Sequence, residues 1–137
     1  MNSETILVVD DEGIVLEFCD SVLARAGYHV LRASSGEQAL KICGDRIGAI
    51  DLVLVDVVMP GMSGVELVDR LNHQKQTMRI AMMSGYSPEE VKKLIVAGGA
   101  DYHFFWKPFQ PKSFLQTIRN LLDRPPANQS RATGAAS

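Results

Sequence analysis

Cysteine is scarce: Cys19 and Cys43 are the two thiols among 137 residues. They form no C-x-x-C pair and fall in stretches of helical periodicity, so both read as small buried hydrophobes in a reducing compartment, with no structural disulfide or zinc site expected. Long apolar runs are missing as well. None approaches the roughly 18 residues a membrane helix requires, and Met1-Asn2-Ser3-Glu4-Thr5 lacks the basic and apolar pattern of a signal segment. A soluble, cytoplasmic chain with no membrane partner is expected. Basic excess is absent too: 14 Lys plus Arg stand against 16 Asp plus Glu, with no Lys/Arg run. Direct nucleic acid binding is therefore not expected.

What is present is 46% hydrophobic residues, enough for one compact domain at this length, and an apolar pattern that keeps changing period. Thr5 to Val9 is a β-favouring run; Ile14, Val15, Phe18, Val22 and Ala26 then recur at helical spacing and stop at Gly27. Tyr28 to Ala33 is β-rich, and Ser35 with Gln38 opens a helix as a capping box, Ala39, Leu40, Ile42 and Cys43 forming its apolar side. Leu52 to Val55 is a short apolar strand, followed by the breakers Pro60, Gly61 and Gly64 and a helix over Val65 to Asn72. Arg79 to Met83 reads as a strand, Gly85 to Pro88 as a turn, Glu89 to Ala97 as a helix closed by Gly98-Gly99, and Tyr102 to Phe105 as the fifth strand. Pro111 opens a last helix with Phe114, Leu115, Ile118, Leu121 and Leu122 inward. After Arg124 the composition turns to Pro, Ala, Ser, Asn and Gly. The expected division is one domain over 1–124 and a disordered tail over 125–137.

Five βα units with strands apolar on both faces predict an α/β fold, a parallel sheet between two helix layers. Ligands of such sheets bind outside the carboxyl ends of the strands. The residues there are Asp10 and Asp11 after the first strand, Asp56 after the third, Ser84 after the fourth and Lys107 after the fifth. Three carboxylates sharing a rim repel one another without a cation, and Mg²⁺ is bound through a few carboxylates while it keeps waters and recruits phosphate oxygens. Asp56, at the tip of an apolar strand, is the natural nucleophile for an acyl phosphate. Lys107 and the metal would offset charge on the transferring phosphoryl group, and Ser84 could donate a hydrogen bond to it.

Asp10-Asp11, Asp56 followed by VVMPGMSG, Ser84-Gly85 and Lys107-Pro108, in this order over residues 5 to 122, closely resemble the receiver domain of bacterial two-component response regulators. The resemblance implies a flavodoxin-like (βα)5 fold with strand order 2-1-3-4-5. It implies a phosphoacceptor signalling domain, not an enzyme beyond its own phosphorylation and slow autodephosphorylation, with Asp56 receiving the phosphoryl group. The donor would be a phosphohistidine on a sensor histidine kinase or histidine phosphotransfer protein. It further implies that Asp11, Asp56 and the Val58 carbonyl ligate Mg²⁺ with Asp10 acting through water, and that Ser84 and Lys107 bind the phosphoryl oxygens. Phe104 matches the family's switch aromatic, and Lys107-Pro108 would be a cis peptide. The responding surface would span the fourth helix, fifth strand and fifth helix, about residues 86–122. A downstream protein target is implied, and a phosphorylation-dependent homodimer is compatible with it. The ETILVVDDE and SGYSPEE stretches look most like receivers fused behind hybrid sensor kinases, and no output module is expected after Leu122.

Several residues carry plainer readings. Glu12 reads mostly as a helix-start charge favoured by the macrodipole, near the site at most. Phe104 would also suit a plain core position. Met59 and Met62 suit loop packing better than a soft-metal site, since no Cys or His stands nearby. Trp106 reads as a partly exposed surface aromatic, and His29, His73 and His103 are scattered without ligand spacing. The same resemblance implies that Val58 and Tyr86, two residues beyond Asp56 and Ser84, flank the phosphoryl group, where an apolar and an aromatic side chain should hinder an attacking water. Two other classes share parts of the pattern. A haloacid-dehalogenase-type phosphohydrolase needs a second acid where Val58 stands, and an FMN-binding flavodoxin-like protein needs a first loop that cradles phosphate, which Asp10-Asp11-Glu12 would repel.

Overall fold

The computed structural model describes residues 3–74, 78–94 and 102–124. Five strands, β1 (Thr5–Val9), β2 (His29–Ala33), β3 (Leu52–Asp56), β4 (Arg79–Ser84) and β5 (His103–Trp106), alternate with helices α1 (Gly13–Arg25), α2 (Gly36–Asp45), α3 (Gly64–His73), α4 (Pro88–Leu94) and α5 (Pro111–Leu122). The strands form one parallel sheet in the order β2-β1-β3-β4-β5. The end of the fourth helix with Gly98-Gly99, and the tail expected over 125–137, lie outside the described residues.

Alternation along each strand divides the core in two. Leu7, Val9, Val53, Val55 and Met82 point to one face and pack with Ala39 and Cys43 of α2 and Leu67 and Leu71 of α3. Ile6, Val8, Leu52, Leu54 and Met83 point to the other and pack with Leu16, Cys19 and Leu23 of α1 and Phe114 and Ile118 of α5. Because helices cover both faces, the central strands are apolar throughout, and Ile6 to Val9 and Leu52 to Val55 are all fully buried. Burying one such side chain contributes about 1.5–3 kcal/mol. Polar links tie α5 to the chain entering β1 and β2. Arg119 of α5 reaches Glu4 Oε2 at 2.7 Å and Asp123 Oδ1 at 3.0 Å, and donates to the Tyr28 hydroxyl at 3.4 Å.

Local signals set the helix ends. Gly27 leaves α1 at φ 100°, the left-handed conformation in which a Cβ is unfavourable. Ser35 Oγ accepts the Gln38 N–H at 3.1 Å. The return leg of this capping box lands one residue early, Gln38 Oε1 accepting the N–H of Ser34 at 2.7 Å. Ser63 caps α3 through the Glu66 N–H at 3.1 Å, which starts that helix at Gly64 instead of Val65.

Strand ends depart from expectation by one residue in five places, among them the start of β2 at His29 instead of Tyr28 and the end of β5 at Trp106 instead of Phe105. Asp56 and Ser84 are the last members of their strands, because Asp56 lies opposite Met83 and Ser84 opposite Trp106 in the ladders. β5 begins at His103, not Tyr102. Tyr102 turns inward before the strand, and its hydroxyl accepts a hydrogen bond from Asn72 Nδ2 at 2.6 Å.

Leu54 sits fully buried in the central strand. Leu54→Ala is expected to lower the unfolding free energy in urea by about 2–5 kcal/mol, whereas Ile47→Ser, at a side chain 73% exposed, should change it by less than about 0.5 kcal/mol.

Candidate functional site

Strand register brings the polar residues to one rim. Val9 pairs with Val55, so Asp10, one step on, stands level with Asp56. Trp106 pairs with Ser84, so Lys107 follows at the mouth of β5. The Lys107 N–H donates to the Ser84 carbonyl at 2.7 Å, and the Lys107-Pro108 peptide is cis. Around these ends opens a cleft of about 350 Å³ lined by Asp11, Glu12, Asp56, Val58, Ser84, Gly85, Tyr86 and Lys107.

The floor of the cleft is a charged cluster. Asp10 is fully buried. Its Oδ1 accepts the Glu12 N–H at 2.9 Å, and its Oδ2 lies 2.7 Å from Lys107 Nζ. The same ammonium group donates to Glu12 Oε1 at 3.0 Å and stands 3.7 Å from Asp56 Oδ2. Asp10, Asp11 and Asp56 each offer a carboxylate oxygen, all within 4.8 Å of one another. Burial first, and then the charge of Asp10, push the Asp56 carboxyl up to about 7 against the pull of Lys107 and the Val58 N–H. Burial works against the charge on Lys107, yet its bonds to Asp10 and Glu12 and the field of Asp56 outweigh this and raise its pKa. Three carboxylates thus surround one ammonium, and Asp11 adds a fourth beside Asp10 and Asp56. A hard-oxygen donor set with uncompensated negative charge suits a divalent cation of the Mg²⁺ type.

The loop between β3 and α3 fixes Asp56 from behind. Its turn uses Gly61 at φ 76°. Met59 and Met62 are both buried, and Met62 packs on Gly36 so closely that a Cβ there would lie 2.7 Å from its sulfur. Gly64 donates its N–H to the Val57 carbonyl at 2.9 Å, and a Cβ on Gly64 would stand 1.9 Å from the Asp56 carbonyl oxygen. Only glycine lets α3 start this close to the strand that carries Asp56.

The structure brings Asp10, Asp11, Asp56, Ser84 and Lys107 together and leaves Phe104 outside the cleft. Phe104 is half-buried against the α2–α3 side of the core and stacks on Trp106, ring centroids 5.4 Å apart and 14° from parallel. Ser84 is buried, and its hydroxyl oxygen accepts the Tyr86 N–H at 2.9 Å. Val58 and Tyr86 stand at the lip, 40% and 46% exposed. Cys19 and Cys43 are buried thiols, and burial first of all pushes Cys19 up to about 12 and Cys43 to about 11. Glu12 stands at the helix start as expected and also takes part in the site. It occupies the N-cap of α1 without any side-chain cap bond, and its carboxylate reaches across the site to Lys107. No local signal marks this, because the partner lies 95 residues away.

A family model described as the response regulator receiver domain matches residues 6–119. The phosphate regulon transcriptional regulatory protein PhoB of Pseudomonas aeruginosa is 35% identical over 134 residues, 96% of this chain and 57% of its own length. Sensor kinase CckA of Brucella abortus is 34% identical over 122 residues, 89% of this chain and 13% of its own length. The chain therefore spans about half or less of the length of these curated relatives. Among solved structures, response regulator protein TrrA from Thermotoga maritima, in complex with Mg(2+)-BeF, superposes with a TM-score of 0.72 at 30% identity, covering 86% of this chain and 98% of that one.

The raised Asp56 pKa has a consequence for the metal-free protein. A carboxyl whose folded pKa lies near 7 against 3.8 when free makes the folded state take up a proton between about pH 4 and 7, so its ionisation opposes folding above that range. Asp56→Asn in EDTA is expected to raise the unfolding free energy at pH 8 by up to about 4 kcal/mol, the gain shrinking to near zero by about pH 4. Urea titrations across that range check this; a gain independent of pH would contradict it.

Proposed function

The chain belongs to the response regulator receiver domain family, and from that premise we propose that it is a phosphorelay acceptor whose Asp56 takes a phosphoryl group from a partner phosphohistidine. The observation that carries this is the placement of Asp56. Its carboxylate ends the central strand, buried, beside one ammonium and with oxygens of Asp10 and Asp11 within 4.8 Å. In the step, an Asp56 carboxylate oxygen forms a bond to phosphorus, the phosphorus–nitrogen bond to the partner imidazole breaks, and that imidazole takes up a proton. Asp11, Asp56 and the Val58 carbonyl would hold Mg²⁺, with Asp10 acting through water. When bound, the ion supplies positive charge against the phosphoryl oxygens and the carboxylates.

The chain's own residues do the rest. Lys107, only 14% exposed in its side chain, offers its ammonium to the phosphoryl oxygens at a site largely screened from water. The Ser84 hydroxyl, now an acceptor for Tyr86, turns to donate to the phosphoryl group. Phe104 follows this movement as the switch, since β4 and β5 are paired at Met82–Phe104 and Ser84–Trp106. The response is read on α4, β5 and α5, about residues 86–122, by a downstream protein or a second phosphorylated copy. Residues 1–124 form the receiver unit in this reading, and the donor is a sensor histidine kinase or a histidine phosphotransfer protein. Similarity to the sensor kinase CckA supports a place in such a relay.

Two experiments test the proposal. With acetyl phosphate and Mg²⁺, intact-mass measurement should show the gain of one phosphoryl group, lost in EDTA and in Asp56→Ala; equal labelling of wild type and variant refutes it. The exposed side chains of Val58 and Tyr86 at the lip should slow water attack, so the phosphoryl group persists well beyond minutes. The double variant Val58→Asn, Tyr86→Ala should shorten its half-life several-fold, and unchanged decay would contradict the shielding role.

A further inference from the structure

Lys107 and Glu12 form a partition. On one side lies the polar cleft over Asp56; on the other lies an apolar groove of about 400 Å³ walled by Ile14, Val15, Phe18 and Phe109, and both spaces are lined by Glu12 and Lys107. The ammonium group is not centred on Asp56. It sits 2.7 Å from Asp10 and 3.0 Å from Glu12, but 3.7 Å from Asp56, beyond the roughly 2.7–2.9 Å of a charge-assisted hydrogen bond. Asp10 is buried and fixed beneath it. Glu12 is the partner that draws it sideways, toward the β1–α1 edge.

The backbone prepares Glu12 for this. Its N–H is held by Asp10 Oδ1 at 2.9 Å, which fixes the origin of the side chain. Its φ and ψ are extended, and its carboxylate makes no cap bond to α1. A helix-start acid that ignores its own helix and spans to a residue 95 positions away is placed for the lysine.

We infer that Glu12 is a positioning residue that holds the Lys107 ammonium toward the β1–α1 edge before phosphorylation and competes for it with the incoming phosphoryl oxygens. The inference rests on the phosphoacceptor reading above. The Glu12 side chain is 56% exposed, so the contact is weak enough to be displaced by a phosphoryl group and strong enough to bias its binding. An exposed pair of this kind corresponds to roughly a two- to fivefold effect on an equilibrium constant.

The test uses the full chain and beryllofluoride at saturating Mg²⁺, followed by the fluorescence of Trp106, the single tryptophan, whose ring is exposed next to Lys107. Glu12→Gln is expected to tighten beryllofluoride binding roughly two- to fivefold. In the metal-free protein the same substitution should shift and broaden the side-chain ammonium resonance of Lys107 in NMR spectra. Unchanged or weaker beryllofluoride affinity overturns the inference. A tighter affinity with an unmoved Lys107 resonance also overturns it, because simple repulsion between Glu12 and the anion would then be sufficient. Failure of the wild type to bind beryllofluoride would instead refute the phosphoacceptor reading, which separates the two outcomes.

Discussion

One ammonium group organises this molecule's functional end. Asp10 is fully buried, and a buried carboxylate without a partner is strongly unfavourable. Lys107 places its ammonium group 2.7 Å from that carboxylate and so supplies the opposite charge beside it. The position of that lysine is set by its own N–H bond to the Ser84 carbonyl, so the first, fourth and fifth strands meet through a single residue. Asp56 completes the group from the third. The sheet therefore does more than carry the site; the charge balance at its rim depends on the strands being in this order and this register.

That dependence also explains why polar chemistry is confined to the rim. Helices cover both faces of the sheet, and the interiors of the central strands β1 and β3 are closed to water and to charge. At and just beyond the last ladder pairs the chain leaves the core, and polar side chains there meet without displacing apolar packing. The aromatic residues divide on the same principle. Phe105, Phe109 and Phe114 cluster on the α1–α5 side with ring centroids 5.1–6.1 Å apart. Phe104 and Trp106 stack on the opposite side of the same strand. Neighbouring residues of β5 thus serve different layers, one inert and one bordering the surface assigned to the response.

The five βα units and the residues that follow each strand were legible in the sequence because both are local. A change of apolar period marks an element, and the position after a strand marks the rim. What was not legible depended on distant partners. The inclusion of Asp56 and Ser84 in their ladders is decided by Met83 and Trp106 on neighbouring strands. Tyr102 favours a strand by type but is held out of it by Asn72, 30 residues earlier. Glu12 was read as a helix-start charge because its spacing allowed nothing more specific; its lysine is brought to it only by the completed sheet. The Gln38 cap was right in kind and off by one donor, since Ser34 and Ser35 offer adjacent N–H groups.

Gly64 carries a different kind of consequence. Every amino acid other than glycine has a Cβ, and at this position the atom would stand 1.9 Å from the Asp56 carbonyl. No codon change that alters the residue is conservative in the ordinary sense, because alanine already introduces the whole clash. Mutational tolerance around Asp56 is therefore uneven: the exposed lip residues Val58 and Tyr86 can change in chemistry without such a clash, while the atom that is missing behind Asp56 leaves no room for variation at all.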